Sequence, residues 1–112
     1  MTIRIDGKSL TIDDVIKVCR EGEKVEITEE AKAAVNKARA YVEEKLENDA
    51  VIYGLTTGFG RFANVKISFE DTAKLQKNLI ISHTCAMGKP YPKHYVRAAM
   101  LLRCNALTRG FS

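Results

Sequence analysis

The sequence predicts a mainly α fold with a small N-terminal β element, an α+β arrangement forming the N-terminal part of a larger helical bundle. Three observations predict it. Apolar and polar residues alternate over the first five positions, the mark of a short strand. Capping signals at Thr11, Thr28 and Ser68 each precede a run with helical periodicity. A final helical run, from about Lys93 to Leu107, is apolar nearly all round apart from Arg97 and Arg103, a pattern that belongs inside a larger bundle.

The elements follow in order. Ile3 and Ile5 alternate with Thr2 and Arg4, so a strand should end at the Asp6-Gly7 turn. Thr11-Ile12-Asp13-Asp14 reads as a capping box with Asp14 in place of the usual Glu. The helix it opens should carry Ile12, Val15, Ile16 and Cys19 on one face and end at Gly22. Lys24 to Ile27 suits a second short strand paired with the first. Thr28 then caps a longer helix, rich in Ala, Glu and Lys, running to about Asn48, with Glu29 and Glu30 favourably placed in its first turn. Ser68-Phe69-Glu70-Asp71 opens another helix to about Cys85, with Phe69, Ala73, Gln76, Ile80 and His83 on one stripe. Gly88, Pro90 and Pro92 break the chain before the last helix. The organisation read from this is strand–helix–strand–helix over 1–49, an irregular segment over 50–67 and two helices over 68–112. The chain ends shortly after the last helix, at Arg109-Gly110-Phe111-Ser112. The expectation is a truncated polypeptide with exposed apolar surface and a tendency to self-associate.

Composition bounds the function. With 112 residues, 46% hydrophobic and 29% charged, the chain fits an ordinary soluble domain with a modest core. It contains no run long and apolar enough for a membrane span, and its first residues lack the apolar core of a secretory signal, so cytoplasm is the expected address. Cys19, Cys85 and Cys104 are odd in number and scattered, which suits reduced, partly buried thiols rather than a disulfide framework or a zinc site. Residues 1–60 hold nine basic and twelve acidic side chains, a balance of −3, while residues 61–112 hold nine and two, a balance of +7. The basic residues stand singly and without interleaved stacking aromatics, so a nucleic-acid partner is not expected.

The segment Val51–Gly60 is the most unusual. Gly54, Gly58 and Gly60 fall within seven positions, and no charge occurs between Asp49 and Arg61. Such a stretch is too apolar for a solvent loop and too rich in glycine for a regular element, so it should be irregular backbone held against something. Phosphate loops fail on spacing: Gly60 is followed by Arg61-Phe62 rather than Lys and Ser or Thr, and the glycines run G-x-x-x-G-x-G rather than G-x-G-x-x-G. No metal site is expected, since His83 and His94 lack close ligand partners. A Cys-His nucleophile fails as well, because His83 and Cys85, two residues apart on a helix, face different directions.

Tyr53-Gly54-Leu55-Thr56-Thr57-Gly58-Phe59-Gly60 resembles the Y-G-x-x-T-G-F-G segment of the aromatic amino acid ammonia-lyases and aminomutases. The resemblance continues through Leu75–His83 and through Val96–Leu107 to Gly110 and Ser112, three blocks in the family's order. It implies the N-terminal portion of a lyase domain, without a complete catalytic domain. It further implies an enzyme that eliminates ammonia from an aromatic amino acid, using 4-methylidene-imidazol-5-one made from an Ala-Ser-Gly tripeptide. No Ala-Ser-Gly occurs in residues 1–112, so the chain alone is expected to be inactive. The family tyrosine matching Tyr53 is assigned the base that removes the β-proton. A phenol ordinarily titrates at about 10, so positive charge or hydrogen-bond donors beside it would have to favour the phenolate. Gly54, Thr57, Gly58, Phe59 and Gly60 would form the loop supporting that residue. His83 matches the position that contacts the substrate's ring. Ser82-His83 looks most like histidine ammonia-lyases, while Leu55-Thr56 and Thr84-Cys85-Ala86 depart from them. Histidine, converted to urocanate, is the first expected substrate. Tyrosine or phenylalanine lyases and aminomutases, or a non-catalytic remnant acting as an association module, are the alternatives. The family also implies a homotetramer whose sites combine several subunits.

Overall fold

The computed structural model describes every residue except Asp49, and of Phe69 the backbone alone. The described residues form a two-stranded sheet and four helices: β1 (Thr2–Ile5), α1 (Ile12–Ile16), β2 (Lys24–Ile27), α2 (Glu29–Glu47), α3 (Phe69–Ser82) and α4 (Lys93–Leu107). The mainly α architecture with an N-terminal β element is therefore the one expected. The chain gathers into two compact units, Met1–Ala40 with Lys89–Ser112, and Tyr41–Gly88.

In the first unit β1 and β2 pair in parallel, Thr2 opposite Lys24 through Ile5 opposite Ile27. A parallel pair needs a crossover, and α1 supplies it. Thr11 caps α1 reciprocally with Asp14: the Thr11 side chain accepts from the Asp14 N–H, and the Asp14 carboxylate accepts from the Thr11 N–H at 3.1 Å and its hydroxyl at 2.7 Å. These bonds from the Thr11 hydroxyl and backbone hold the Asp14 carboxyl below its ordinary value of 3.8. At the preceding turn Asp6 accepts from the Lys8 and Ser9 N–H groups, at 2.8 Å each, and is likewise held low, chiefly by Ser9.

The face expected of α1 is altered by one feature that periodicity did not carry. After Ile16 the helix widens into a π turn, Lys17–Glu21, ended by Gly22 at φ +77°. The extra residue per turn changes the register, so Cys19 is buried while Ile12 is 80% exposed. Ile3, Ile5, Cys19, Ala31 and Leu101 form a small core here, and α4 packs on α1 and the π turn. Burying a side chain such as Ile5 or Leu101 contributes about 1.5–3 kcal/mol. Gly110, at φ +72°, lies so close to α2 that an added Cβ would sit 2.6 Å from the Ala34 carbonyl oxygen. The alanines of α2 permit that approach. Leu101 is the buried residue of α4, while Val96, Met100 and Leu102 remain exposed, which is the apolar surface expected.

Two further expectations are corrected. Cys85 and Cys104 are exposed, leaving Cys19 as the buried thiol. Cys85 falls beyond the end of α3, which stops at Ser82, in an exposed stretch. The stripe Ala73, Ile80, His83 is also exposed, and Ile80 is 67% accessible. The inner face of α3 is instead Thr72, Leu75, Gln76 and Leu79; of the expected stripe Gln76 keeps its place there, bonded to a backbone carbonyl of the neighbouring loop. The Phe69 side chain, also placed on that stripe by the sequence, lies outside the described residues.

Candidate active-site loop

The second unit is organised by the loop between α2 and α3. Its first turn is tied by Thr56, whose hydroxyl accepts from the Ile52 N–H at 2.8 Å and donates to the Ala50 carbonyl at 2.9 Å. Thr57 repeats the device one residue on: its hydroxyl accepts from the Gly54 N–H at 3.2 Å and donates to the Gly58 carbonyl at 3.0 Å. Both threonines are buried, so their hydroxyls take their partners from the backbone of the loop. The returning segment, residues 65–67, closes the loop. Thr57 bridges Lys66 in antiparallel fashion, the Gly58 N–H donates to the Val65 carbonyl, and the Ile67 N–H donates to the Thr56 carbonyl at 2.7 Å. From α3, the Gln76 side-chain amide donates to the Gly54 carbonyl at 2.8 Å.

This scaffold presents Tyr53. Its phenolic oxygen accepts the Gly60 N–H at 3.0 Å, and its ring meets the Phe59 ring edge-on, with centroids 5.8 Å apart at 75°. The contact orients the ring without covering it, since Tyr53 stays 62% exposed. The Gly60 N–H occupies one lone pair of the oxygen, and the phenolic hydrogen is left to meet another group. Gly54, at φ +71°, has no room for a side chain: a Cβ there would lie 2.7 Å from the Phe59 ring. A Cβ at Gly58 would lie 2.6 Å from Phe62 Cβ and 2.8 Å from the Phe62 carbonyl oxygen. Gly60, at φ +53°, starts the 3₁₀ turn Gly60–Phe62.

The structure thus draws Tyr53, Gly54, Thr57, Gly58, Phe59 and Gly60 into one hydrogen-bonded clasp. His83 belongs to the same unit but takes its partners from its own helix. It is the C-cap residue of α3, and its Nδ1 lies 2.9 Å from the Leu79 carbonyl oxygen and 3.1 Å from Ser82 Oγ. Thr56 and Gln76 brace this loop, a role the sequence reading gave to neither, although it placed Gln76 on the stripe of α3. The signal at Thr56 was a hydroxyl in an otherwise uncharged, apolar stretch, where a buried polar side chain must find backbone partners; at Gln76, flanked by Lys74, Lys77 and Asn78, the sequence carried no such signal. Among the described residues no three His, Cys, Asp or Glu side chains gather as a metal ion would require, and no helix is long and apolar enough to cross a membrane.

Comparison with known proteins gives the family of the chain. The histidine ammonia-lyase of Caldanaerobacter subterraneus subsp. tengcongensis is 54% identical over 108 residues, covering 96% of this chain and 21% of that enzyme. The crystal structure of tyrosine aminomutase from Streptomyces globisporus superposes with a TM-score of 0.92 at 31% identity, over 98% of this chain and 21% of that one. Histidine ammonia-lyase from Trypanosoma cruzi gives a TM-score of 0.86 at 34% identity, with the same coverages. The chain therefore spans about a fifth of the length of these relatives, as the N-terminal portion of their fold. The family model for aromatic amino acid lyases matches residues 10–112, and the chain belongs to that family.

Proposed function

We propose that residues 1–112 are the N-terminal part of an ammonia-lyase that eliminates ammonia from an aromatic amino acid, with histidine, converted to urocanate, as the favoured substrate. The observation that supports the substrate is the 54% identity to a histidine ammonia-lyase over 96% of this chain. Tyrosine or phenylalanine lyase or aminomutase activity is the second reading, supported by the likeness to a tyrosine aminomutase at a TM-score of 0.92 and 31% identity.

The elimination breaks a Cβ–H bond and a C–N bond. The hydrogen is weakly acidic and the amine leaves poorly, so both ends need help. In this reading Tyr53 is the base: its deprotonated oxygen takes the β-proton, while the Gly60 N–H holds that oxygen in place. An exposed ring fixed at one edge and open on the other suits a loop that closes over a substrate. That open side also fits a site whose other half lies on residues outside this stretch. 4-Methylidene-imidazol-5-one supplies an electrophile for the amine in this family, and its Ala-Ser-Gly precursor is absent from residues 1–112. The 112 residues alone are therefore read as catalytically silent, completed by the rest of a cytoplasmic, tetrameric enzyme. His83 is read as the contact to the substrate's ring.

Replacing Tyr53 by Phe in the complete lyase tests the base. Turnover should fall by about a hundredfold or more, within the range for loss of a positioned base, while the electrophile's absorbance is retained. Near-normal turnover would remove Tyr53 from the role. Exposed Val96, Met100 and Leu102 also support an association surface on the isolated chain, which sedimentation would detect as self-association.

A further inference from the structure

The geometry at the end of α3 points to a fixed ring tautomer at His83: in the neutral ring Nδ1 carries the proton and Nε2 presents a lone pair. The reasoning is a count of hydrogens. A carbonyl oxygen only accepts, so the 2.9 Å separation between Nδ1 and the Leu79 oxygen requires a hydrogen on Nδ1. Ser82 Oγ, 3.1 Å from Nδ1, could in principle supply a hydrogen to a bare nitrogen instead. Its one hydrogen is already given to the same Leu79 oxygen at 2.8 Å. Turning it onto Nδ1 would leave a bare nitrogen lone pair facing the carbonyl oxygen. The His83 backbone N–H also reaches Leu79 O, at 3.2 Å. The carbonyl thus gathers three donors at the negative end of a helix, where donors are favoured.

The consequence is one of specificity, and it rests on the reading of His83 as the ring contact. An Nε2 lone pair accepts from a ring that carries an N–H or O–H, as imidazole and phenol do, and offers nothing to phenyl. The Leu79 carbonyl in the C-terminal turn of α3 therefore acts through His83, and the hydrogen-bond donor on the substrate's ring is what it selects.

Two-bond ¹⁵N–¹H correlation spectra of the ¹⁵N-histidine-labelled chain read the tautomer directly. At about pH 8.5, well above the ordinary histidine value of about 6.5, His83 should be Nδ1-protonated. The Nδ1–H to Nε2–H ratio should exceed that of the denatured chain by about tenfold, the worth of one well-placed hydrogen bond. Ser82→Ala should keep the preference, since the Leu79 carbonyl carries it. An Nε2–H tautomer at His83, or loss of the preference in Ser82→Ala, overturns the assignment. In the complete lyase, the kcat/KM ratio for histidine over phenylalanine tests the consequence separately. A large ratio upholds donor selection. A ratio near one overturns the ring contact, whatever the tautomer.

Discussion

Gly58→Ala puts the clasp under its most direct test. A Cβ at this position would lie 2.6 Å from Phe62 Cβ and 2.8 Å from the Phe62 carbonyl oxygen, where ordinary contact begins at 3.4 Å. The neighbour that must yield is a backbone turn rather than the end of a flexible side chain. Relieving the closer contact takes a displacement of about 0.8 Å, typical of overpacking that costs about 1–3 kcal/mol. The turn that moves is Gly60–Phe62, and Gly60 supplies the N–H held 3.0 Å from the Tyr53 oxygen. A shift of about 0.8 Å along that direction opens the bond to about 3.8 Å, where it no longer counts as one. In an NMR comparison the Gly60 amide should move upfield as the bond is lost, and the Tyr53–Phe59 ring contacts should weaken. In the complete lyase a misplacement of this size should lower turnover by about a hundredfold. An unchanged Gly60 amide with intact ring contacts would refute the steric account. Full turnover with a displaced Gly60 would refute the link between the bond and catalysis.

Two other predictions address the ring contact and the N-terminal cap. His83→Phe in the complete lyase should lower kcat/KM for histidine by at least about tenfold more than for phenylalanine, because a buried ring donor loses its acceptor. Equal losses would mark His83 as structural. Because the Asp14 carboxyl is held below 3.8 in the folded chain, the α1 cap should be intact above that value and weaken as pH falls through the folded midpoint. A ¹³C titration should place the Asp14 midpoint below 3.8, and Thr11→Ala should bring it back toward 3.8. A midpoint at or above 3.8 in the unaltered chain would contradict the capping box.

Much of the fold was legible because it is local. Thr11, Thr28 and Ser68 announce helix starts through side-chain bonds to N–H groups within three residues, and the structure has all three. Gly22 announces an end through the left-handed conformation that only glycine adopts at little cost. The π turn was not legible, since Lys17–Glu21 carries no composition that distinguishes it from an ordinary helical turn. The inner face of α3 was misassigned for a related reason. The spacing placed Gln76 correctly but paired it with Ala73 and Ile80, whereas Thr72, Leu75 and Leu79 flank it on the inner face, and its bond to the Gly54 carbonyl lies 22 positions away along the chain.

For the candidate site the division is similar. By itself the sequence determined the capped helices, the glycine-rich break at residues 50–67 and, through three ordered blocks, the family. Each depends on neighbours along the chain or on a pattern that can be matched as text. The tertiary structure alone decided that Gly60 holds the Tyr53 oxygen, that Thr56 and Gln76 brace the loop, and that the Leu79 carbonyl meets the His83 ring. A hydrogen bond depends on tenths of an ångström and on direction. Those are set only when the loop closes on itself and on α3.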